Sequence, residues 1–103
     1  MPHDVFGGIA NPVRRDILIE LASGPKSVNE LVDRFAIGRP AVSEHLQMLR
    51  EVGLVTAEQV GRKRYHHLNA APLAEAADWL AVFEQYWNAR LRALRAVLDE
   101  ENR

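Results

Sequence analysis

The chain has no cysteine among its 103 residues. That absence removes disulfides, thiolate metal sites and redox-thiol switches together. It also lacks an apolar run near the length of a membrane span. No basic region followed by an apolar one opens it, so neither an anchor nor a signal peptide is expected. There is no internal repeat, low-complexity tract or interdomain linker. A nucleophile elbow, a glycine-rich phosphate loop and a motif-like acid pair are all missing, so nothing points to an enzyme and no cofactor is expected. An excess of one charge is lacking too. Thirteen Lys and Arg stand against 14 Asp and Glu, a net charge of −1. On its own that balance argues weakly against a nucleic-acid binder, but the distribution of charge matters more than its sum. What remains is an ordinary composition, 48% apolar and 26% charged, which fits one globular domain over residues 1–103 with a modest core, compatible with the cytoplasm.

The most informative segment is Arg39-Pro40-Ala41-Val42-Ser43-Glu44-His45-Leu46-Gln47-Met48-Leu49-Arg50-Glu51, followed by Val52-Gly53-Leu54-Val55. At about 100° per residue, Val42, Leu46 and Leu49 share one side of a helix. Pro40, Ser43 and Gln47 centre the opposite side, flanked by Arg39, Glu44, Arg50 and Glu51. A helix with one side fixed to a core and the other free is what entry into a major groove requires. Before it, Ser27-Val28-Asn29-Glu30 matches a capping box and opens a short helix burying Val28, Leu31, Val32 and Phe35. Ala36-Ile37-Gly38 then makes a tight connection, giving a helix-turn-helix over about residues 27–53. Further upstream, Asn11 caps and Pro12 starts another helix, with Val13, Ile17, Leu18 and Leu21 at helical spacing and a stop at Ser23-Gly24-Pro25. A helical turn is expected to start near Asp4.

Two β-rich runs, Leu54 to Val60 and Arg64 to Asn69, bracket Gly61-Arg62-Lys63, which predicts a hairpin with a basic tip, a wing over about residues 54–69. From Pro72 to about Asp99 one long helix is expected. Leu73, Ala76, Leu80, Phe83, Trp87, Leu91, Leu94 and Leu98 keep a spacing of three or four, and Trp79, Val82, Tyr86, Ala89 and Ala93 form a second stripe. So wide an apolar face must be buried against more than one neighbour. A domain of this size offers little to cover it, so a second copy of the chain is the expected cover. The candidate dimer-interface residues are Leu73, Leu80, Phe83, Trp87, Leu91, Leu94 and Leu98.

Over nearly its whole length the chain resembles the ArsR-type (ArsR/SmtB-like) winged helix-turn-helix regulators of bacteria. Four segments carry the likeness: Ala10 to Leu18, Ser27 to Leu31, Arg39 to Val55, and Gly61-Arg62-Lys63-Arg64-Tyr65-His66-His67-Leu68. The resemblance implies a mainly α fold with a small β-hairpin. It implies a homodimer paired through its terminal helices, binding a palindromic operator and repressing transcription. The family's metal sensors carry cysteine pairs in the helix before the recognition helix, or Asp/His sets on the last helix. Here the first segment reads Glu30-Leu31-Val32-Asp33-Arg34, and the region from Leu73 to Arg103 holds no histidine. Both known sensing sites are missing. Gly38 stands where the family often has a serine cap, and Glu44 where a basic or amide residue is common.

Arg39, Ser43 and Gln47 are the base-contact candidates. Arg suits the two acceptors of guanine, Gln suits adenine, and Ser serves either. A solvated helix face is the plainer alternative. Pro40 sets the helix start and can pack against sugar or a thymine methyl, while Glu44 can accept from cytosine N4 or turn away from phosphates. Arg62, Lys63 and Arg64 are expected at phosphates or the minor groove, although a basic run is often just a solvated turn. Ser27 can present a helix N-terminus to a phosphate, but its cap role is the surer one. Arg14 and Arg15 lie near a helix start, where one is expected to pair with an acidic neighbour. His3, His45, His66 and His67 form no familiar ligand set. Adjacent His66 and His67 point to opposite faces of a strand, with His66 half-buried beside Leu68. The rival functions are a metal- or ligand-gated sensor with an unfamiliar site and a winged-helix module that binds protein. No inducer is named by the sequence.

Overall fold

A computed structural model describes residues 4–102. Helix α1 (Val5–Gly8) is a single turn capped by the Asp4 carboxylate, which accepts from Gly7 N at 2.9 Å. Helix α2 (Pro12–Ala22) starts as expected: Asn11 Oδ1 accepts from Val13 N and Arg14 N at 2.8 and 3.1 Å, and Pro12 needs no donor there. Strand β1 (Lys26–Ser27) leads into helix α3 (Val28–Phe35). The capping box is formed in both directions, Glu30 N to Ser27 Oγ and Ser27 N to the Glu30 carboxylate, each at 3.3 Å. Helix α4 (Arg39–Glu51) follows after three residues. Ala36 makes this turn possible by adopting a left-handed conformation at φ 53°, a place where glycine is the usual choice.

Strands β2 (Val55–Val60) and β3 (Lys63–Leu68) form the hairpin, with Val60 opposite Lys63 and Val55 opposite Leu68. Its connection is the two residues Gly61 and Arg62, and Gly61 has φ +62°. Glycine at the first of two turn positions matches the twist of a right-handed strand pair. Lys63 therefore lies in the strand and not in the turn. The short β1 pairs with the far edge of β3, so the sheet has three strands in the order β1-β3-β2 rather than two. Ile17, Leu21, Leu31, Val42, Leu46, Leu49, Leu54 and Val55 form the core where α2, α3, α4 and the sheet meet.

The expected single helix from Pro72 is divided. Helix α5 (Leu73–Ala81) ends, and helix α6 (Glu84–Glu101) begins after Val82 and Phe83. At the junction, Val82 N bonds Trp79 O and Phe83 N bonds Leu80 O. Such i to i+3 bonds tighten the last turn of α5. Of these two helices only Ala76 is buried. Leu73 packs on the chain's own core. The molecule is consequently long, 60 × 33 × 21 Å with a radius of gyration of 18.0 Å, against about 13 Å for a compact chain of this length. Among the described residues no helix is long and apolar enough to cross a membrane.

Candidate nucleic-acid interface

Helix α4 is sharply two-sided. Val42, Leu46 and Leu49 have no exposed surface, while Arg39, Pro40, Ser43, Glu44 and Gln47 are exposed. The apolar spacing thus fixes one side to the core and turns a polar side outward. Gly38 supplies no side-chain cap, so the start of the helix relies on the fixed φ of Pro40. Arg39 is not free: its Nη1 donates to Asn29 Oδ1 on α3. His45 lies at the boundary between the two sides. Burial, then the Arg14 charge, lower its pKa, against a smaller opposing pull from Glu44.

The hairpin places Arg62, Lys63 and Arg64 in solvent. They do not stand apart from the helix. The starts of α3 and α4 and the hairpin tip face one cleft of about 400 Å³, which takes in Asn29, Arg39, Arg62, Lys63 and Arg64. Ser27 also reaches this cleft, but its hydroxyl is engaged with Glu30, at 3.1 Å from the carboxylate. The carboxylate already occupies the helix start that a phosphate would use.

Behind the interface, the wing and α4 are joined by a buried contact. His66, on β3, is 1% exposed, more buried than its place beside Leu68 suggests. Its Nε2 lies 3.3 Å from Arg50 Nη1 in the last turn of α4. Arginine only donates, so Nε2 accepts and the ring proton sits on Nδ1. Nδ1 has no well-aligned partner, although the backbone of the paired residue Lys26 favours a proton on the ring. Burial, then the Arg50 charge, nevertheless lower the His66 pKa, with Arg64 and His67 adding to the effect. Burial and Arg64 likewise lower that of Arg50. His67 faces the other way, 3.0 Å from the Glu58 carboxylate. His3 lies outside the described residues. Among those described, no cluster of three or more metal-ligating side chains occurs.

Arg14 and Arg15, one of them expected to pair with an acidic neighbour, both bond main-chain carbonyls. Arg14 donates to Gly8 O and Gly7 O at 2.9 and 3.0 Å, and Arg15 to Ile9 O at 2.8 Å. They bond carbonyls at the end of α1, where helical partners run out, Gly7 O also accepting from Ala10 N at 3.3 Å. That turn brings in Phe6, which no spacing or motif singles out. The Phe6 ring meets Trp79 edge-on at 5.8 Å, and the series continues through Trp79–Phe83 at 5.0 Å and Phe83–Trp87 at 6.2 Å. All four rings remain exposed, as do Leu80, Leu91, Leu94 and Leu98. Apolar surface this extensive marks an interaction site.

Residues 11–57 match the family described as bacterial regulatory protein, arsR family. The transcriptional repressor SdpR of Bacillus subtilis is 30% identical over 79% of this chain and 90% of its own length. The HTH-type transcriptional regulator Rv2034 of Mycobacterium tuberculosis is 32% identical over 97% of this chain and 91% of its own. The chain belongs to the ArsR family. Solved structures agree: an ArsR-like transcriptional regulator from Rhodococcus sp. RHA1 superposes with a TM-score of 0.69 at 31% identity, covering 90% of this chain and 88% of that one. A possible transcriptional regulator for arsenical resistance gives the same TM-score at 36% identity, covering 90% and 95%. Membership makes this ArsR-family chain a winged helix-turn-helix, DNA-binding transcription regulator and not an enzyme.

Proposed function

We propose that the chain is a repressor that binds a palindromic operator as a homodimer in the cytoplasm. The exposed polar side of α4 beside the basic hairpin carries this reading. Ser43, Glu44 and Gln47 face base edges, with Pro40 at the helix start. Arg62, Lys63 and Arg64 grip the flanking backbone, and counterion release makes affinity fall steeply with salt. SdpR, similar over most of both chains, is named as a repressor.

Pairing is supported by the uncovered face of α5 and α6. Helix α6 has 18 residues and buries none of them. In proteins most of a helix's stability comes from packing its apolar face against a neighbour. Covering Leu80, Phe83, Trp87, Leu91, Leu94 and Leu98 with the same face of a second copy removes the apolar surface from solvent and sets two copies of α4 to enter major grooves about one turn, roughly 34 Å, apart.

A mobility shift with DNA upstream of the chain's own gene tests the reading. The wild type is expected to shift it, and a Ser43→Ala, Gln47→Ala double variant that still dimerises is expected to lose the shift. A stably monomeric chain, or one with no preference for any base sequence at low salt, refutes it.

A further inference from the structure

We propose that Arg39 is a backbone-phosphate ligand rather than a base reader, held in that role by Asn29 as its positioning residue. The proposal rests on the DNA-binding reading and redistributes the work within the interface. Asn29 is the second residue of α3, ten positions before Arg39, and its Oδ1 accepts from Arg39 Nη1. The bond ties the guanidinium back to the preceding helix. To read guanine, two donors on one edge of that plane must meet O6 and N7 together, and the bond at Nη1 fixes the plane against α3 and narrows which edge of the fork can do so. A phosphate sets no such demand. Its oxygens accept from any of the remaining donors of the guanidinium fork.

The surroundings favour an anion. Arg39 opens into the same cleft as Arg62, Lys63 and Arg64. Two carboxylates, Glu30 and Asp33, also line it, so four cations face two anions. Glu30 is turned to its capping box, with Oε1 on Ser27 N and Oγ, which draws its charge toward α3. The cleft therefore joins the tip of the wing to the start of the recognition helix through one basic seat. A phosphate there is held from both sides. Asn29 lowers the side-chain entropy that Arg39 must lose on binding. Base preference is left to Ser43, Glu44 and Gln47, one and two turns further along α4.

The test begins with selection of bound sequences from random duplexes by the full-length wild type. The selected duplex and a set of its single base-pair variants are then titrated over a salt series with wild type, Arg39→Ala and Asn29→Ala. Arg39→Ala is expected to weaken all duplexes by a similar factor, on the order of tenfold, and to reduce the salt slope by about one for each protomer bound. Asn29→Ala keeps the cation, so the slope should stay while affinity falls a few-fold on every duplex alike. Unchanged affinity of the folded Asn29→Ala protein would overturn the positioning role. Loss of discrimination at one base pair in Arg39→Ala, with the slope preserved, would make Arg39 a base reader and overturn the seat. Failure of the wild type to bind any duplex would instead sink the DNA-binding reading itself.

Discussion

Mild acid should weaken this fold through His66. The ring is 1% exposed and its Nε2 sits 3.3 Å from a permanent cation, Arg50. Burial first, and Arg50 second, hold its pKa below the ordinary 6.5. In the unfolded chain the same ring titrates at that ordinary value. Below about pH 6.5 the unfolded state therefore takes up a proton that the native state refuses, so stability is lost as pH falls through this window and regained as it rises. One proton limits the slope to about 1.4 kcal/mol per pH unit, so moving from about pH 7.5 to about pH 5.5 removes up to about 1.4 kcal/mol. His45 is shifted in the same direction, but it is partly exposed and its share is smaller. Urea unfolding at fixed protein concentration, across that pH range, measures the effect. His66→Gln keeps an acceptor for Arg50 and cannot titrate, so its stability should vary with pH less steeply than that of the wild type. Equal slopes in the two proteins, or a wild type that gains stability on acidification in this window, would refute the reasoning.

Other perturbations follow from single contacts. Leu46 of α4 is fully buried in the core, so Leu46→Ala should cost about 2–5 kcal/mol, read as a lower urea midpoint with an unchanged m-value. Ala36 holds a left-handed φ of 53°, so Ala36→Gly should raise stability by roughly 1 kcal/mol, seen as a higher melting temperature. Trp87 lies 43% exposed in the middle of the uncovered apolar face. On the dimer reading, Trp87→Glu should shift sedimentation toward the monomer and weaken operator binding, while α4 and the wing keep their structure by NMR.

The parts of the fold legible in the sequence are those whose causes are local. The Asn11 and Ser27 caps depend on side chains two or three residues from their donors, and both formed. The two sides of α4 follow from periodicity, and Val42, Leu46 and Leu49 are buried as spaced. What escaped depends on partners distant in sequence or on backbone atoms that a sequence does not display. Arg14 and Arg15 bond carbonyls, not acids. β1 is two residues long, too short to show any alternation. The break at Val82 and Phe83 carries no proline or glycine, and the apolar spacing runs straight through it. At the interface, residue type marked Arg39, but only the fold shows that Asn29 holds it. Equally, His66 was readable as a strand residue, yet its contact with Arg50 spans 16 positions.

Helix α6 also bears on how long each molecule survives. Eighteen residues of which none is buried have little packing to keep them wound, and proteases cut where a chain opens most easily. On the dimer reading, a freshly synthesised copy that has not met another would be trimmed from this end first. Scarcity would then hasten degradation and abundance would slow it, so the cell's stock of the regulator would respond to its own level with no dedicated sensor.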